Sequence, residues 1–88
     1  MRILKYYIPI RDEFKIEMLA GPVLHVDTQR GVPCIWVKTR DGDDNFIIRT
    51  FQVIGTGQFF NDENLSYIGT FQQEDGYLIW HLFEKDAK

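Results

Sequence analysis

Apolar and polar residues alternate along most of this chain with a period close to two. Phe14, Ile16 and Met18 alternate with Lys15 and Glu17, the pattern of a strand with one wet face. Ile3 to Ile10 is β-branched and aromatic and closes on Pro9, which predicts an opening strand. Gly21-Pro22 punctuates the chain before a third strand over Val23 to Thr28. Gln29-Arg30-Gly31 supplies a tight turn, and Val32 to Thr39 returns beside it. Arg40 to Asn45, with Asp41, Asp43 and Asp44, predicts a hairpin loop. Further strands follow over Phe46 to Ile54, Leu65 to Gln72 and Tyr77 to Glu84.

Two of these strands are apolar on both faces. Phe46, Ile48 and Ile54 share one face of the fifth strand; Ile47, Phe51 and Val53 share the other. The last strand sets Leu78, Trp80 and Leu82 against Ile79, His81 and Phe83. A strand without a wet face is central or covered twice, so this pair is expected at the centre of a sheet and as the wall of any site. A surplus of apolar surface in so short a chain also suggests self-association as a homodimer.

No ten-residue stretch carries a helical period free of Gly, Pro or strand alternation. The expected fold is all-β: a small antiparallel sandwich or partly open barrel of about seven short strands, with at most one short helical turn near residues 59–65. Eighty-eight residues make one domain, 1–88, with 86–88 frayed. Ile54-Gly55-Thr56 is echoed by Ile68-Gly69-Thr70, which reads as two similar strand ends or bulges.

Composition narrows the classes. The chain is 44% hydrophobic, enough for a core, and its net charge is −3. Its ten basic residues are scattered from Arg2 to Lys88, whereas tracking phosphates needs them clustered. No nucleic-acid partner is therefore expected. Lys5 and Arg11 break the first apolar run, so it predicts neither leader nor membrane span. Cys34 is the only cysteine, which excludes an internal disulfide and suggests the cytoplasm.

Candidate chemistry is sparse. Gly55-Thr56-Gly57-Gln58 would expose consecutive amides as an anion nest, or serve as a structural turn. It lacks the lysine of a phosphate-binding loop, and Phe60 stands where a dinucleotide fingerprint has its third glycine. Arg49 shares parity with Phe51 and Val53 and so needs a carboxylate, with Glu84 or Asp27 as candidates, or an anionic ligand. His25 and His81 lie on different strands without a third ligand at metal spacing, so no metal is expected. Either histidine would donate to a phosphate if it lined a pocket. Trp36, Trp80, Tyr67 and Tyr77 are core residues or stacking surfaces for a base. Ser66 lacks a nucleophile elbow and Cys34 sits beside Ile35 and Trp36, so no catalytic residue and no cofactor are assigned.

Taken together, several segments resemble a family of small uncharacterised proteins of tailed bacteriophages and prophages. They are Lys5-Tyr6 with Ile8-Pro9-Ile10; Gly21-Pro22-Val23-Leu24-His25-Val26; Arg49 through Gln58; Gly69-Thr70; and Trp80-His81-Leu82-Phe83-Glu84. The family commonly has Pro after the Gly-Thr-Gly turn, where this chain has Phe59-Phe60. The resemblance implies a phage or prophage origin, hence the host cytoplasm, and no defined activity.

The expectation is a non-enzymatic binding protein, with a counter-defence role in sequestering a nucleotide-derived signal as its leading form. Its site would draw on Arg49, Gly55, Thr56, Gly57, Gln58, His81, Trp80 and His25. The alternatives are a protein-binding inhibitor or adaptor acting on a host defence complex, and a small phage structural accessory.

Overall fold

The computed structural model describes residues 1–42 and 44–86; the acidic-turn reading at Asp43 and the fraying at 87–88 lie outside them. Seven strands form: β1 (Arg2–Tyr7), β2 (Glu13–Leu19), β3 (Val23–Gln29), β4 (Val32–Thr39), β5 (Phe46–Gly55), β6 (Leu65–Gln73) and β7 (Leu78–Lys85). They assemble into two antiparallel sheets, of order β1-β4-β3 and β2-β5-β7-β6. The fold is an open sandwich rather than a closed barrel. Among the described residues, no helix is long and apolar enough to cross a membrane.

Among the described residues, the single helical element is a 3-10 turn over Glu74–Gly76, not near residues 59–65. The 59–65 segment instead bends at Asn64, which takes a left-handed φ of 61°. Asp86, at the end expected to fray, donates its amide to the Asn64 carbonyl and accepts a hydrogen bond from Ser66 Oγ.

The doubly apolar strands β5 and β7 are the two central strands of the four-stranded sheet, as their composition predicts. Register decides which face is inner. Phe51 stands opposite Phe14 and Glu84, Val53 opposite Leu82, and Phe71 opposite Trp80. Phe14, Phe51, Val53, Phe71 and Leu82 are buried together with Val26, Ile35 and Val37 of the other sheet. Where β6 nears β3, a Cβ on Gly69 would lie 2.7 Å from Val26 Cγ1. The repeated Ile-Gly-Thr thus has two causes: Gly55 ends β5, while Gly69 follows a bulge in β6.

Among the described residues, only β3–β4 and β6–β7 are hairpins between strands adjacent in sequence. Arg30 and Gly31 make the first turn with φ of 52° and 81°, as a two-residue hairpin turn requires. The 40–45 loop is not a hairpin; it carries the chain from one sheet to the other. The connection from β5 to β6 departs further from a meander. Both strands run antiparallel to β7, so they are parallel to each other, and residues 56–64 must travel back along β7. Phe60 packs on Phe83 at 5.3 Å between ring centroids, which places this strap on the outer face.

Candidate functional site

β5 and β7 carry most of the residues singled out from the sequence, but on two faces and at two ends. Arg49 lies on the inner face, near the start of β5. Its Nε and Nη2 donate to Glu84 Oε2 and Oε1 at 2.7 and 2.6 Å, and its Nη1 donates to the Gly21 carbonyl at 2.7 Å. The Arg49 side chain is 10% exposed and that of Glu84 25%. The guanidinium is therefore held by the Glu84 carboxylate, one of the two anticipated, and is not an open anion ligand. The other, Asp27, lies 3.6 Å from His25. His25 stands beside Trp36 on the outer face of the three-stranded sheet, apart from the β5–β7 end.

The remaining six converge. Gly55 ends β5 opposite Trp80, and Ile54 stands opposite His81. Gly55 and Trp80 face inward; His81 faces outward beneath the turn. The backbone folds back at Gly57, whose φ is 89°. Gln58 closes the turn in two ways: its amide donates to the Gly55 carbonyl, and its Oε1 accepts from the Gly55 amide. The Thr56 amide donates to Ile79 O. Three of the turn's four amides are thus engaged within the chain, as in the structural turn that is one of the two readings of this segment. Closing the β5 end against β7 takes precedence over presenting donors to an anion.

A half-open cavity of about 380 Å³ lies between this turn and the start of β7, lined by Gly55, Thr56, Tyr77, Leu78, Ile79 and Trp80. Gly55 keeps it open on one side: a Cβ there would stand 3.3 Å from Trp80 Cζ3. The Trp80 indole Nε1 is buried and has no hydrogen-bond partner among the described residues. Tyr77, 89% exposed, stands at the mouth.

A polar row runs from the cavity rim across the outer face. Thr56 Oγ1 lies 2.8 Å from His81 Nε2, His81 Nδ1 lies 2.9 Å from Thr70 Oγ1, and Thr70 Oγ1 lies 2.6 Å from Tyr67 OH. Thr70 escapes a sequence reading, and Tyr67, read there only as a core residue or stacking surface, is not linked to His81, because β6 reaches β7 only through the crossover. The local signal available was the Ile-Gly-Thr echo, which places Thr70 beside a bulge.

Two more hollows are defined. One of about 660 Å³ lies between the β3–β4 turn and the 3-10 turn, lined by Asp27, Gln72, Glu74 and Asp75 among others. The other, about 400 Å³, borders Arg49, Glu84 and Lys85. Among the described residues, no group of three or more His, Cys, Asp or Glu is placed to hold a metal ion.

No curated protein and no solved structure matches this chain. A family model does, over residues 1–88, and the chain accordingly belongs to the family described as a domain of unknown function, DUF7352.

Proposed function

We propose that this domain is a small-ligand-binding protein of phage or prophage type, and that it sequesters a flat heterocyclic compound such as the base of a nucleotide-derived signal. The observation that carries the reading is the shared cavity of Gly55, Thr56 and Trp80, with Tyr77 at its mouth. Its volume falls in the range of small-molecule sites, and aromatic walls with one polar edge suit a stacked base. Arg49 is committed to Glu84, so the reading rests on recognition of the base rather than of phosphate.

Isothermal titration with nucleosides, cyclic nucleotides and ADP-ribose-type nucleotides tests it. The expected result is saturable heat with at least one ligand, accompanied by a change in Trp80 fluorescence. Tyr77→Ala should then weaken binding about tenfold, the loss of one stacking surface. Absence of heat across the panel would defeat the proposal.

A second reading has its own observation. Phe59 is 99% exposed on the strap, and Tyr67 also stands open on that outer face. Exposed aromatic surface favours a protein partner, which suits an inhibitor or adaptor of a host defence complex. That reading expects a stoichiometric complex in a pull-down from host extract, lost in Phe59→Ser.

A further inference from the structure

The row Thr56–His81–Thr70–Tyr67 contains a hydroxyl, an imidazole and a group that orients the imidazole, each within hydrogen-bond reach of the next. We infer that Thr56 is an acyl-accepting nucleophile, with His81 as its general base and Thr70 as a positioning residue. The substrate class is an activated carboxylic ester or thioester with an apolar or aromatic group that fits the adjoining cavity. The inference does not depend on nucleotide binding.

The geometry fits the roles. Thr56 Oγ1 and His81 Nε2 are 2.8 Å apart, within the range for direct proton transfer, and closer than the Ile79 carbonyl, the hydroxyl's other acceptor at 3.4 Å. To accept the Thr56 proton on Nε2, neutral His81 must carry its own proton on Nδ1. Thr70 Oγ1, 2.9 Å away, can accept that N–H and donate in turn to the Tyr67 oxygen. When His81 gains the proton, both ring nitrogens become donors, and both already face hydroxyl oxygens. The imidazolium is therefore accommodated without any group turning round. This arrangement of nucleophile, base and orienting partner is the general form of an activated hydroxyl.

Thr56 is exposed and sits at the rim of the cavity whose Tyr77, Leu78 and Trp80 can hold an apolar group. Gly57 carries the turn's remaining amide, with no hydrogen bond among the described residues, and is the donor left for a developing oxyanion.

Thr56 Oγ1 bonds to the carbonyl carbon while its proton passes to His81 Nε2. The carbon–oxygen or carbon–sulfur bond to the leaving group then breaks, and the leaving group departs with the electron pair. The imidazolium returns its proton to solvent. The product is an ester on Thr56.

The test uses the full chain and 4-nitrophenyl acetate, followed by 4-nitrophenolate release and by peptide mapping of the acetyl group. Acetylation at Thr56 ahead of the surface lysines is expected, and Thr56→Val should abolish it. His81→Gln should slow it by about 10²-fold, the smaller end of what a general base supplies. Thr70→Val keeps both reacting groups, and should lower the rate and alter its pH profile, which a purely structural residue would not do. Acetyl groups on lysines with Thr56 unmodified would overturn the inference. So would a His81→Gln protein that is acetylated at Thr56 as fast as the parent.

Discussion

Arg49 and Glu84 form a two-pronged ion pair on the inner face of the four-stranded sheet, across two strands that stand side by side. The same guanidinium donates to the Gly21 carbonyl, in the link that carries the chain from β2 to β3. One side chain thus ties the central strands of one sheet to the crossing point into the other.

Removing one partner of this pair should cost more than removing both. Glu84→Ala leaves a largely buried guanidinium without its carboxylate, and should destabilise the domain by about 3 kcal/mol. Arg49→Met with Glu84→Leu should recover much of that loss, because the site then becomes apolar among Phe51 and its neighbours. Urea denaturation of the two proteins checks the order.

The two closest glycine contacts should differ in consequence. A Cβ at Gly21 would stand 1.9 Å from the Lys38 carbonyl oxygen, and the φ of 149° disfavours other residues. Backbone there cannot yield, so Gly21→Ala should cost more than about 3 kcal/mol, beyond the ordinary range. At Gly69 the obstacle is the Val26 side chain, which can turn, so Gly69→Ala should cost about 1–3 kcal/mol. Thermal unfolding of both variants decides whether this ranking holds.

Adjacent phenylalanines on the strap should behave differently. Phe60 packs on Phe83, which also meets Tyr67 edge-on at 5.5 Å. Phe60→Ala should loosen the strap and lower stability by about 1 kcal/mol. Phe59 is fully exposed, so Phe59→Ser should stay within about 0.5 kcal/mol of the parent. Hydrogen exchange across residues 56–64 should rise in the first variant and not in the second.

Acid should act partly through Glu13. Its carboxyl is held below its ordinary value, first by the hydrogen bond from Gln52 Nε2 and then by the charge of Lys85. A carboxylate with a lowered folded pKa stabilises the fold above its unfolded pKa. That contribution fades as pH falls below about 4.3 and through the lower folded value. Glu13→Gln should therefore flatten the acid limb of the stability profile and leave its alkaline limb unchanged. Denaturant midpoints measured down the acid range provide the comparison.

The alternation of side chains determined a good deal by itself. It marked each strand to within a few residues, ruled out long helices and identified β5 and β7 as central, because a strand apolar on both faces favours a neighbour on either side, although the start of β5 leaves Phe46 and Ile48 exposed. It also paired Arg49 with Glu84 as a candidate, since a cation in step with Phe51 and Val53 needs a counter-charge. Alternation is local, however, and strand pairing is not. The passage of residues 40–45 between sheets and the return of residues 56–64 over β7 were decided by which apolar faces could cover one another in three dimensions. That choice separated Arg49 and His25 from the other predicted residues. It also brought Thr70 and Tyr67 from β6 to His81, and set Tyr77 opposite the Gly55 turn. The central strands were legible in the chain; the polar row beside their cavity was not, because it is completed only where the crossover lays β6 beside β7.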